Sequence, residues 1–94
     1  MAEVQKNTEA GEISQRFVQF IMMQQQQALL ALGKHPNPPP GAPPSNLVLA
    51  KVFIDQLSAI REKTRGNLSK EELDLLNNVL AGLHLHYAEV SRPS

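Results

Sequence analysis

The segment Lys63-Thr64-Arg65-Gly66-Asn67-Leu68-Ser69-Lys70-Glu71-Glu72-Leu73 constrains the chain more than any other stretch. It reads as the end of one helix and the start of the next, with almost no loop between them. Gly66 stands where a helix ends in the left-handed conformation, which Gly adopts without steric cost. Ser69 and Glu72 have the S-x-x-E spacing of a capping box, in which each side chain accepts a backbone N–H of the other residue. A helix is therefore predicted to start at Lys70. Leu68 before the cap and Leu73 four positions into the helix can form the hydrophobic staple that sets the entry angle. The C-terminal half is expected to be an αα-hairpin.

The flanking sequence supplies the helices that this turn joins. Downstream, Leu73, Leu76, Leu80, Leu83, Tyr87 and Val90 step by 3, 4, 3, 4, 3, a seam of the coiled-coil type. Leu75, Val79 and Gly82 widen that seam on one flank. A Gly within a helix costs ~1 kcal/mol relative to Ala, so close approach of another helix at Gly82 is expected. Upstream, Leu47, Ala50, Phe53, Ile54, Leu57 and Ile60 recur at threes and fours and predict a helix to Arg65, capped by Ser45 or Asn46. Lys51, Asp55, Ser58, Glu62 and Arg65 fall on its solvent side.

A further helix is predicted from about Ile13 to Leu32, free of Gly and Pro and stopped by Gly33. At 1.5 Å per residue it is ~30 Å long. Ile13, Phe17, Phe20, Ile21, Ala28 and Leu32 line one side, and Val18, Met22 and Leu29 an adjacent one. A helix apolar over so wide an arc requires more than one neighbour. Gln24-Gln25-Gln26-Gln27 interrupts it with four polar residues that point in all directions. Two readings stay open: a buried polar layer that fixes register or partner number, or side chains that mostly face water, since Gln is a good helix former.

Between the first two helices, residues 34–45 hold Pro36, Pro38, Pro39, Pro40, Pro43 and Pro44 and cannot be helical. In a polyproline II conformation, at ~3.1 Å per residue, this connector could span a whole helix, so parallel and antiparallel arrangements are both allowed. Its simplest role is that of a semi-rigid connector, although Pro-rich segments are also ligands for aromatic-lined grooves. Residues 1–12 carry too little apolar surface to offset the entropy of ordering them and are expected to form a disordered tail, and Ser-Arg-Pro-Ser at 91–94 is expected to end the last helix as a short tail. The predicted architecture is all-α: three helices in one domain over 13–90, the last two an αα-hairpin and the first joined through the Pro-rich connector.

A chain of 94 residues forms a small domain that buries about 60% of its unfolded surface and is marginal alone. Oligomerisation is one remedy. Disulfides are closed, because there is no Cys, and a structural metal is disfavoured by where the three His lie. His84 and His86 are two apart on a helix and point ~200° away from each other, so they cannot grip one ion. His86 and Glu89 share a face but lack a second such pair. Nine basic and nine acidic residues cancel, which removes the bulk attraction that non-specific nucleic-acid binders depend on. The longest apolar run, Phe20 to Met23, is far short of the ~20 residues of a membrane span, and a signal peptide is not apparent, so a cytoplasmic protein is expected. No phosphate loop, nucleophile with a base or paired carboxylate setting occurs. The chain is read as a non-enzyme with no cofactor.

Three stretches resemble a known family: Gln26-Gln27-Ala28-Leu29-Leu30-Ala31-Leu32-Gly33 leading to Pro36-Asn37-Pro38; Asn46-Leu47 with Ala50-Lys51 and Ile54-Asp55; and Glu62-Lys63-Thr64-Arg65-Gly66-Asn67-Leu68-Ser69 with Glu71-Glu72. In order and spacing they resemble the bacterial family known as domain of unknown function eighteen-forty-four, over about Phe17 to Val90. The resemblance implies a small, all-helical bacterial protein of the cytoplasm. It implies no activity and no catalytic residue. The run Pro38-Pro39-Pro40 to Pro44 departs from the family pattern.

The expected mode of action is association between helices, first as a homodimer and otherwise with a helix of another protein. Phe17, Val18, Ile21, Met22, Gln25 and Leu29 are the candidate self-association residues, because the hairpin alone cannot cover so much of helix one. The alternative is an RNA- or ribosome-associated factor using the basic turn Arg61, Lys63, Arg65 and Lys70. Cations in the last turn of a helix and acids in the first turn of the next already fit the helix dipoles, so nucleic acid is the less expected partner. A small apolar ligand within the bundle is a third, more distant reading.

Overall fold

The computed structural model describes residues 2–42 and 44–92, with the backbone alone for residues 2–10. Three helices, α1 (Ala2–Leu32), α2 (Leu47–Lys63) and α3 (Lys70–Ser91), form an all-α fold in which each packs on the other two. Helix α1 is much longer than predicted and runs back through the segment expected to be a tail. Once packing has fixed its later turns, residues such as Ala2, Glu3, Gln5, Lys6 and Ala10 only propagate an existing helix, which is far easier than nucleating one. Met1, Pro43, Pro93 and Ser94 lie outside the described residues, so of the expected C-terminal tail only Ser91, the last helical residue, and Arg92, its cap, are described.

The end of α1 is a Schellman motif. Gly33 sits at φ 73° and its N–H donates to the Leu30 carbonyl at 3.0 Å, while the Lys34 N–H reaches the Leu29 carbonyl at 2.8 Å. A β-carbon at Gly33 would also stand 3.3 Å from that of Ser45. Ser45 is that close because the connector folds back on itself. A turn closed from the Ala42 N–H to the Pro39 carbonyl (3.0 Å) reverses it, and the Asn46 N–H bonds the Ala31 carbonyl at 2.7 Å. The prolines therefore stiffen a compact loop instead of spanning a helix, and α2 starts beside the end of α1 and runs antiparallel to it.

Asn46 caps α2, its Oδ1 accepting the Leu49 N–H at 3.1 Å. The helix ends at Lys63, before the predicted Arg65, where Thr64 caps it and returns its hydroxyl to the Ile60 carbonyl at 2.6 Å. Gly66 belongs to the next turn, closed from the Asn67 N–H to the Thr64 carbonyl at 2.8 Å, where its φ of 84° is the positive value a type II turn requires at the third position. Ser69 then opens α3 with both halves of the capping box: Ser69 Oγ accepts the Glu72 N–H at 3.1 Å, and Glu72 Oε1 accepts the Ser69 N–H at 2.7 Å. That backbone bond, aided by the Ser14 and Ser69 hydroxyls, holds the Glu72 carboxyl below the usual range. With α2 antiparallel to α1 and α3 turned back along α2, α3 runs parallel to α1, and α1, at 31 residues against 17 in α2, projects past the end of the hairpin.

The core lies along the common axis of the three helices. It consists of Ile21, Ala28, Ala31 and Leu32 from α1, Ala50, Ile54 and Leu57 from α2, and Leu76, Val79, Leu80 and Leu83 from α3. Phe17, Leu29, Leu47, Phe53, Leu68, Leu75, Tyr87 and Val90 pack around it. The two neighbours that the wide apolar arc of α1 calls for are thus the two arms of the same chain's hairpin.

Candidate functional site

Helix periodicity divides the surface of α1 into two flanks, one turned to α2 and the other to α3. Val18, Met22, Gln25 and Leu29, spaced by 4, 3 and 4, run along the α3 flank. Val18, Gln25 and Leu29 are half-buried there, and Met22 is 39% exposed. On α3, helix periodicity puts Leu75, Gly82 and His86 on one flank, all half-buried, with Leu85 exposed beside them. Two of the expected self-association residues do not belong to this surface. Ile21 is completely buried in the chain's own core, and Phe17 packs against that core. Both are taken up by the intramolecular packing of α1.

Gly82 also departs from expectation. A β-carbon built on it meets nothing within 4 Å among the described residues, so none of them approaches it closely. The predicted close contact is absent among the described residues, and the helical penalty of ~1 kcal/mol stands uncompensated there. The middle of the surrounding surface holds no charged side chain. Its polar groups include the carboxamides of Gln25, exposed Gln26 and Asn78 and the imidazole of His86, whose Nδ1 lies 3.2 Å from Glu89 Oε1 at one end.

The α2 flank of α1 is different. Gln27, Leu30 and Ala31 form one wall of a groove of about 610 Å³, the start of α2 with Leu49 and Phe53 forms the other, and Pro44 to Asn46 of the connector close one end. Phe20 and Met23 continue the apolar strip along α1, and Val48 and Val52 edge it on α2; all four are exposed, Val48 to 78%. Sequence reasoning missed Val48, Leu49 and Val52, because they lie outside the period that marks the core face of α2. Their signal was three apolar residues on the side of an amphipathic helix that should be polar. Within the glutamine run, Gln26 and Gln27 face water while Gln24 and Gln25 are half-buried, and Gln24 Oε1 is buried without a hydrogen-bond partner among the described residues.

At the hairpin turn the four basic residues do not converge. Arg61 Nη1 donates to Asn77 Oδ1 at 3.2 Å across α2 and α3, and Arg65 is paired with Glu62 at 2.9 Å. Lys63 and Lys70 are exposed, Lys63 on the opposite side of α2 from Arg61. Among the described residues no group of three or more His, Asp or Glu side chains is placed to hold a metal ion. Among them, too, no helix is long and apolar enough to cross a membrane.

The family model described as "Domain of unknown function (DUF1844)" matches residues 14–89. The chain belongs to the DUF1844 family. No curated protein and no solved structure matches it. The DUF1844 match begins at Ser14, where α1 meets the start of α3, and ends near the close of α3. It therefore covers the packed three-helix unit and leaves out the projecting turns of α1.

Proposed function

We propose that this DUF1844 protein is a helical interaction module with a binding role, and that its first partner is a second copy of itself, docked on the α1/α3 face. The observation that carries this reading is Gly82. It is a helix-interior glycine, half-exposed, with open space where its side chain would stand. A small residue at mid-helix lets a second helix approach closely, which would give a reason for a residue that otherwise only weakens α3. Val18, Met22 and Leu29 with Leu75 and Leu85 supply apolar surface around it. The absence of charge in the middle favours a like partner, since no sign has to be matched. Carboxamides such as Gln25 and Asn78 each donate and accept, so they can pair with their own copies across a two-fold axis. A place in the bacterial cytoplasm is part of the same proposal.

Gly82→Leu and Met22→Asp test it. Both side chains stand at the surface of the isolated chain, so both variants keep the helicity of the wild type. In a dimer, the first fills the crossing point and the second buries an unpaired charge, which costs several kcal/mol. Sedimentation should show a wild-type dimer and two folded monomers. Wild-type behaviour of both variants would rule out this face.

A further inference from the structure

The α1/α2 groove is suited to a different partner. Its concave part lies between residues 27–31 of α1 and 47–53 of α2, closed at one end by residues 44–46. Exposed Phe20 and Met23 on α1 and Val52 on α2 continue the apolar surface, so that it reaches from Phe20 to Ala31, ~16 Å or about three helical turns at 1.5 Å per residue, with Gln27 as a polar interruption. Ile13, 66% exposed, extends it beyond the end of α2. A concave channel between two antiparallel helices takes the apolar ridge of a third helix, read as anchors at i, i+3, i+4 and i+7. Arg16 lies one turn before Phe20 on α1, Lys63 closes α2 at the same end of the antiparallel pair, and Lys34 follows α1 at the other end. All three are exposed, and none has an ion-pair partner among the described residues. Asp55, on the same face of α2 as Val48, is engaged with Lys51 at 2.9 Å, and Glu12 lies a turn before Arg16 on the projecting part of α1.

We infer that the α1/α2 groove binds an amphipathic helix of another protein whose apolar stripe is flanked by acidic residues. A second copy is the wrong occupant, because a two-fold pairing would set basic ends against basic ends. A flat lipid surface would leave the concave channel between Leu30 and Phe53 unfilled.

The test uses the full chain and two fluorescein-labelled synthetic helical peptides of four turns, both with Leu at i, i+3, i+4 and i+7, one flanked by Glu and the other by Lys. Anisotropy should show the Glu-flanked peptide binding, with the Lys-flanked one at least about tenfold weaker, as rim charges turned from attraction to repulsion predict. Amide shifts in the wild type should map to Leu30, Leu49, Val52 and Phe53. The double variant Arg16→Glu, Lys63→Glu should reverse the preference between the peptides. Monomeric Gly82→Leu should bind like the wild type, which separates this inference from the dimer proposal. Equal affinity for the two peptides, shifts mapping to another face, or binding of phosphatidylglycerol vesicles without binding of the peptide would each overturn it. So would concentration-dependent shifts at Val48 to Val52 with no peptide present, which would identify a second copy as the occupant.

Discussion

Replacing Gly82 by Ala puts the account of α3 to a test whose sign is set by the structure. In a helix interior the exchange favours Ala by ~0.8–1 kcal/mol, because Gly loses more backbone freedom on folding. A collision could cancel that gain, but the added β-carbon has nothing within 4 Å. For a domain of this size ~1 kcal/mol corresponds to a rise of roughly 4–8 °C in Tm. The comparison is best made in the Met22→Asp background, which should keep both chains monomeric, by far-UV circular dichroism during heating and urea titration. The Ala variant is expected to be the more stable monomer. In the otherwise unaltered chain, the same substitution is expected to weaken the dimer, so its advantage should shrink as protein concentration rises. A lower Tm for the monomeric Ala variant would refute the reasoning, since it would mean that Gly82 is required by packing inside the chain.

Ser69→Ala should destabilise the fold by ~1 kcal/mol, as loss of an N-cap does, and Gly66→Val by more, because a β-branched residue fits a positive φ poorly; urea midpoints check both. Since the folded Glu72 carboxyl titrates below its unfolded value of about 4.5, its half of the capping box is fully in place above that pH and is lost as pH falls through the depressed folded value. Stability measured from pH 6 to pH 3 should therefore fall less in Glu72→Gln than in the wild type. Gln24→Met removes a buried oxygen that has no hydrogen-bond partner and should stabilise the protein by ~1 kcal/mol; a lower urea midpoint would show that Gln24 bonds in solution.

What the sequence made legible was local chemistry. The capping box at Ser69 and Glu72 and the glycine stop after Leu32 rest on residues close together in the chain and take the form their spacing implies; the 3,4 seam of α3 does so from Leu76 to Val90, while Leu73 at its start is 40% exposed. Direction was different, because a Pro-rich connector long enough to span a helix is also long enough to double back. The bond from Asn46 to Ala31 that decides between the two joins positions on either side of it. The start of α1 was misplaced because composition measures what a segment can bury, whereas a helix already held by packing can extend through residues that bury little. The surfaces were legible only in part. Apolar periodicity correctly demanded two neighbours for α1 but could not assign them to this chain or to a partner, and so Ile21 and Phe17 were read as interface when they serve the core. Val48 and Val52 were overlooked because they fall outside the period.

A chain whose α1 already packs on its own hairpin is proposed to pair with a second copy through the face around Gly82. Sedimentation velocity of the wild type and of Gly82→Leu across the micromolar range decides whether it does. The wild type should form a concentration-dependent dimer and Gly82→Leu a folded monomer. A wild type that stays monomeric well into the micromolar range, or a Gly82→Leu chain that dimerises as the wild type does, would contradict the proposed pairing.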